Sequence, residues 1–140
     1  MSRCLGIDFG TRRIGLALSD PAGILATPLP FLENNSLKEV VAKFQELVKS
    51  HGIQKIVIGL PRNLDGSYGP SAQKVREFIT QIQPHIPAEI ISQDERLTTA
   101  QASRGLSQMG LTQKDLRKKV DSSSAALILQ QFLDRSAPHL

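Results

Sequence analysis

Asp8, Glu95 and Asp121 are the acidic residues whose settings give a carboxylate chemical use. Asp8 interrupts the apolar segment Leu5-Gly-Ile-Asp-Phe9, Glu95 follows Asp94 at the end of another short apolar run, and Asp121 opens Asp-Ser-Ser-Ser-Ala-Ala126. A charge in or beside a core must be paired, hydrogen-bonded or bound to a metal, and the Asp8 segment carries no internal cation. Three converging carboxylates raise one another's pKa unless a cation neutralises them. With oxygen donors and no nearby histidine or thiolate, that cation is Mg2+ or Mn2+ rather than zinc. Two such ions roughly 3.5 to 4 Å apart activate a water and stabilise a leaving oxygen in an in-line displacement at phosphorus. The chemistry expected is two-metal hydrolysis of a phosphodiester.

Each acid also has a plainer role. Asp121 suits an ordinary helix N-cap, and Glu95 suits a surface pair with Arg96. Asp94 competes with Glu95, because a one-residue slip of strand register exchanges their faces. Asp20 and Asp65 sit where turns favour aspartate. The lone cysteine, Cys4, fits a small buried hydrophobe and leaves no internal disulfide.

The chain carries a formal charge of +4, which suits a polyanion. Its cations gather in Arg12 and Arg13 after Asp8, in Arg62, in Arg96 and Arg104 after Glu95, and in Arg117, Lys118 and Lys119 before Asp121, so that three of the clusters flank the three acids. Around a nucleic acid they would hold the phosphate backbone without reading bases.

Elements must bring these positions together. Leu5, Ile7 and Phe9 alternate with Cys4, Gly6 and Asp8, and Ile14, Leu16 and Leu18 alternate again after Gly10-Thr-Arg-Arg13, so two strands are expected, with a third at about residues 24–27. Ser36-Leu-Lys-Glu39 is a capping box that opens an amphipathic helix stopped at Gly52. Lys55 to Leu60 is a β-branched run suited to a central strand. Pro70 opens a second helix, residues 89–93 form a fifth strand, and Thr98-Thr-Ala-Gln101 opens a third helix that Gly110 stops. A short helix is expected near residues 112–115, and the last one starts at Asp121. The pattern is an α/β fold, one domain over residues 1–140. Its five-stranded mixed sheet has three antiparallel strands followed by parallel βα units, with helices on both faces. No run is long enough to cross a membrane and no signal peptide is evident, so a cytoplasmic location is expected.

Four motifs in order, Gly6-Ile-Asp-Phe-Gly-Thr-Arg-Arg-Ile-Gly-Leu-Ala-Leu-Ser-Asp20, Val57-Ile-Gly-Leu-Pro61 with Asp65-Gly66, Asp94-Glu-Arg-Leu-Thr-Thr99 and Lys119-Val-Asp-Ser-Ser-Ser-Ala-Ala126, resemble the YqgF family. Its members are bacterial proteins described as candidate Holliday junction resolvases and as nucleases for the 5′ end of precursor 16S rRNA. The resemblance implies a ribonuclease H-like fold, a cytoplasmic role in ribosome biogenesis, and Asp8, Glu95 and Asp121 as the acidic site. The expected partner is structured RNA, such as pre-rRNA on a ribosomal subunit, with branched DNA as the alternative. Trimming RNA needs only a monomer or weak homodimer, whereas resolving a junction needs a dimer. Two rivals remain. Asp8-Phe-Gly-Thr11 also resembles the phosphate loop of actin-like ATPases and sugar kinases, which clamp nucleotide between two lobes where this chain has length for one. The other is a non-catalytic RNA-binding ribosome-assembly factor.

Overall fold

A computed structural model describes residues 3–63, 65–94 and 113–136, with the side chains of the last helix described over 124–135. Five strands, β1 (Arg3–Asp8), β2 (Arg13–Ser19), β3 (Ala26–Glu33), β4 (Ile53–Leu60) and β5 (Glu89–Asp94), form one sheet in the order β3-β2-β1-β4-β5. β1 runs antiparallel to β2 and parallel to β4, and β4 runs parallel to β5. The Asp8 strand is therefore central, and the carboxyl ends of β1, β4 and β5 share one edge. Among the described residues the α-helices are α1 (Leu37–His51), α2 (Pro70–Ile82) and α3 (Gln113–Ser136).

Local chemistry sets the ends of α1. Ser36 Oγ accepts the Glu39 N–H at 3.2 Å, and Gly52 closes the helix in the left-handed region at φ 63°. Pro70 occupies the first turn of α2, where its missing N–H costs nothing.

The sheet buries both faces. Leu5, Ile7, Ile56 and Ile58 pack with Val40 and Phe44 of α1 and Val75 and Phe78 of α2. Cys4, Ala17 and Val57 pack on the other side with Ala125, Ile128, Leu129 and Leu133 of α3. The small residues on this second face let α3 lie very close. A Cβ on Gly6 would stand 2.7 Å from the Leu129 Cβ and 2.8 Å from the Ala125 carbonyl oxygen.

Two expectations need correction. The third strand is not residues 24–27 but Ala26–Glu33, running through Pro28 and Pro30. Proline is tolerated because β3 is an edge strand and because its register with β2 slips between Ile14 and Leu16. The last helix does not start at Asp121, nor is there a separate short helix before it. One helix runs from Gln113, since no glycine or proline interrupts residues 113–136, so Asp121 is an interior helical position and not an N-cap. The helix expected after Thr98 lies outside the described residues.

Candidate active site

Asp8 ends β1 on the face that α3 covers, in line with Cys4 and Gly6. Its immediate neighbours on both adjoining strands are glycines. Gly15 pairs with Asp8 across the antiparallel ladder. On the parallel side Ile7 pairs with Ile58, which brings Gly59 level with Asp8. The floor around the carboxylate is therefore open, walled by Ala125 of α3 and by the Phe31 ring, both near the Gly15 backbone. Burial pushes the Asp8 carboxyl above the usual carboxylate range, with no charge or hydrogen bond among the described residues to lower it. A carboxylate without a partner among the described residues, beside two glycines, fits a hard divalent cation, whose oxygen ligands it would join. Among the described residues no histidine is found beside Asp8, and Cys4 lies a full four residues back along the strand.

Gly10 explains how the chain leaves Asp8. A side chain there would run into the Arg13 carbonyl, and the turn is held by the Asn34 side-chain amide, which donates to the Gly10 carbonyl at 3.0 Å. Arg12 and Arg13 flank the turn and are exposed; Arg13 lies 5.9 Å from the Phe31 ring centroid.

The competition between Asp94 and its neighbour can be weighed from β5. Gln93 is buried and its side chain donates to the Ile128 carbonyl of α3 at 2.8 Å, so it faces the Asp8 side of the sheet. Asp94 faces the other way, as strand alternation requires. Both its oxygens are occupied: Arg62 Nη1 donates at 2.9 Å and the Tyr68 hydroxyl at 3.0 Å. Arg62 also donates to the Gly66 carbonyl, so this expected nucleic-acid contact is tied into the loop after β4.

Glu95, Arg96 and Arg104 lie outside the described residues. Asp121, Arg117, Lys118 and Lys119 fall within α3, where the backbone alone is described; position 121 is one helical turn before Ala125, the residue beside Gly15. Of the three acids, the described side chains thus include Asp8, and no group of metal-ligating side chains is assembled among the described residues. Gly15, Gly59, Gln93 and Tyr68 are not singled out by the sequence, because their contacts depend on register and on packing across the sheet edge.

A family model described as RuvX, Holliday junction resolvase, matches residues 2–135. The chain belongs to the RuvX family. This is the YqgF family that the four motifs resemble. Among relatives, a protein of Sulfurihydrogenibium sp. strain YO3AOP1 named as a candidate pre-16S rRNA nuclease is 47% identical over 137 residues, 96% of this chain and 92% of its own. A protein of Moorella thermoacetica with the same name is 41% identical over 133 residues, 95% of each chain. Thermus thermophilus RuvC in complex with a Holliday junction superposes with a TM-score of 0.55 at 16% identity, over 96% of each chain. The fowlpox virus Holliday junction resolvase also gives 0.55, at 11% identity, over 95% of this chain and 99% of its own. At these identities the superpositions establish the α/β, ribonuclease H-like fold. No helix among the described residues is long and apolar enough to cross a membrane.

Proposed function

We propose that this RuvX-family chain is a cytoplasmic, single-domain, metal-dependent nuclease acting on precursor 16S rRNA at its 5′ end. The observation that carries the chemistry is the half-buried Asp8 carboxylate, raised in pKa by that burial and flanked by glycines on both sides. The substrate follows from the relatives, 47% and 41% identical over nearly the whole chain and named for that activity.

Asp8, Glu95 and Asp121 would hold Mg2+ or Mn2+. Bound there, two such ions supply an activated water and charge neutralisation at phosphorus. The protein's own part would be placement: Asp8 ends the central strand β1, and α3, which covers the same face, would carry Asp121 to it. The occupied state of Asp94 and its place on the sheet face opposite Asp8 favour Glu95 as the second acid. The hollow over Gly15 and Gly59 leaves room for a phosphate that a side chain would otherwise fill. The cations around the acids, namely Arg12, Arg13, Arg96, Arg104, Arg117, Lys118 and Lys119, would neutralise the backbone and orient it.

A second reading, resolution of four-way DNA junctions, is favoured by the family description itself. One experiment separates the two. Purified protein is offered precursor 16S rRNA, linear RNA and four-way DNA, with and without Mn2+. Metal-dependent cleavage of the precursor near its 5′ end supports the RNA role, symmetric nicking of the junction supports the DNA role, and binding to RNA without cleavage of any of them points to an assembly factor.

A further inference from the structure

The loop from Pro61 to Gly69 and the first turns of α2 hold a cluster that the metal chemistry does not use. The ring of Tyr68, the chain's single tyrosine, remains 41% exposed although its hydroxyl is spent on Asp94. Two guanidinium groups pack on that ring, Arg62 at 5.1 Å and Arg76 at 4.5 Å from its centroid. Their situations differ. Arg62 is bound to Asp94 and to the Gly66 carbonyl, whereas Arg76 makes no ion pair and donates no hydrogen bond among the described residues.

Packing a guanidinium on an aromatic face fixes its orientation and consumes none of its five N–H donors. Among the described residues Arg76 is thus a held, exposed cation with its full donor fork available. A free arginine loses rotamer freedom when it is immobilised by a ligand; here the ring has already restricted it, which is the condition for inexpensive recognition of a planar or tetrahedral oxyanion. The cluster also has the right address. Asp94 ties it to the carboxyl end of β5, and Asp8 ends β1 on that same edge of the sheet.

We propose that Arg76, held by Tyr68, seats a backbone phosphate of the substrate strand away from the cleavage point and so sets the path of that strand toward Asp8. The proposal rests on the nuclease reading above and adds to it a positioning residue outside the clusters that flank the acids. The seat recognises phosphate and not base, so it serves any sequence.

The test uses the full-length protein, in EDTA so that no RNA is cut, with a labelled single-stranded RNA followed by fluorescence anisotropy between about 50 and 200 mM salt. Arg76→Ala lowers the slope of log K against log salt by about 0.7, the value of one lost contact to a single strand, and raises Kd several-fold at the low-salt end. Tyr68→Ala, which removes no charge, gives a loss in the same direction, and Tyr68→Phe retains the wild-type slope because the ring remains. Lys49→Ala, the same charge change on the last turn of α1, leaves the slope as in wild type. A wild-type slope in Arg76→Ala overturns the seat while leaving the nuclease reading standing. If the wild-type protein binds neither RNA nor four-way DNA with any salt dependence, the nuclease reading falls and the seat with it. Arg76 is exposed on its helix, so its variant carries the test even where Tyr68→Ala disturbs the loop.

Discussion

Asp8 faces Gly15 across the β1–β2 ladder so closely that a Cβ at position 15 would lie 3.4 Å from the Asp8 Cβ. That is ordinary contact, so alanine fits, and anything much larger occupies the hollow. Gly15→Ala is expected to unfold within about 1 kcal/mol of wild type, whereas Gly15→Leu removes cleavage of RNA. Urea denaturation together with a cleavage assay checks both. An active Gly15→Leu protein would show that the hollow is not where the phosphate goes.

Gly6 gives the contrasting case. Its Cβ would meet the Leu129 Cβ and the Ala125 carbonyl at 2.7 and 2.8 Å, against helix backbone that cannot give way cheaply. Gly6→Ala should therefore cost about 1–3 kcal/mol and reduce cleavage by shifting α3, which carries Asp121. A urea midpoint equal to that of Gly15→Ala would contradict this account of the α3 packing.

An ionised Asp8 carries a cost in the fold. Its pKa is raised in the fold by burial. Its contribution is thus fully favourable below the ordinary carboxylate value near pH 3.9 and is lost as pH rises through the raised folded value. Asp8→Asn is expected to melt above wild type at pH 7, with the difference vanishing below about pH 4, while cleavage is abolished. Calorimetric melting across that range decides it; a variant that melts lower at pH 7 would mean that the carboxylate is compensated in the metal-free protein.

Metal binding should reverse that penalty. At about 100 times its Kd, Mn2+ is expected to stabilise the wild type by ~2.7 kcal/mol and to leave Asp8→Asn unmoved. Chelation with EDTA should remove both the shift and the cleavage. Equal stabilisation of the two proteins would place the ion elsewhere.

Asp94 and Glu95 should separate in the same assay. Asp94→Asn breaks a half-exposed pair with Arg62, worth about 0–1 kcal/mol, and should keep the Mn2+ shift. Glu95→Gln should diminish it. The opposite outcome would reassign the ligand to Asp94.

Much of this arrangement is legible in the chain because it is local. Ser36 and Gly52 announce the ends of α1, and the alternation around Asp8 identifies a carboxylate on an otherwise apolar strand. Relations across strands are not written locally. Pro28 and Pro30 suggest the end of a strand until β3 is known to be an edge, and the helical propensity of residues 113–120 does not say that they continue into the helix of Ala125. The glycines flanking Asp8 gain their meaning only from register. Tyr68 and Arg76 meet through a turn-rich loop whose path no periodicity encodes.

The closeness of Gly6 to Leu129 has a consequence for biosynthesis. The first strands made by the ribosome wait for the last helix, and the Ala26 N–H bonds to the Gln130 side chain across 104 residues of sequence. Such distant pairing delays folding, and α3, which walls the Asp8 hollow, can dock only after it has emerged from the ribosome. Until then the wall that Ala125 gives the Asp8 hollow is missing.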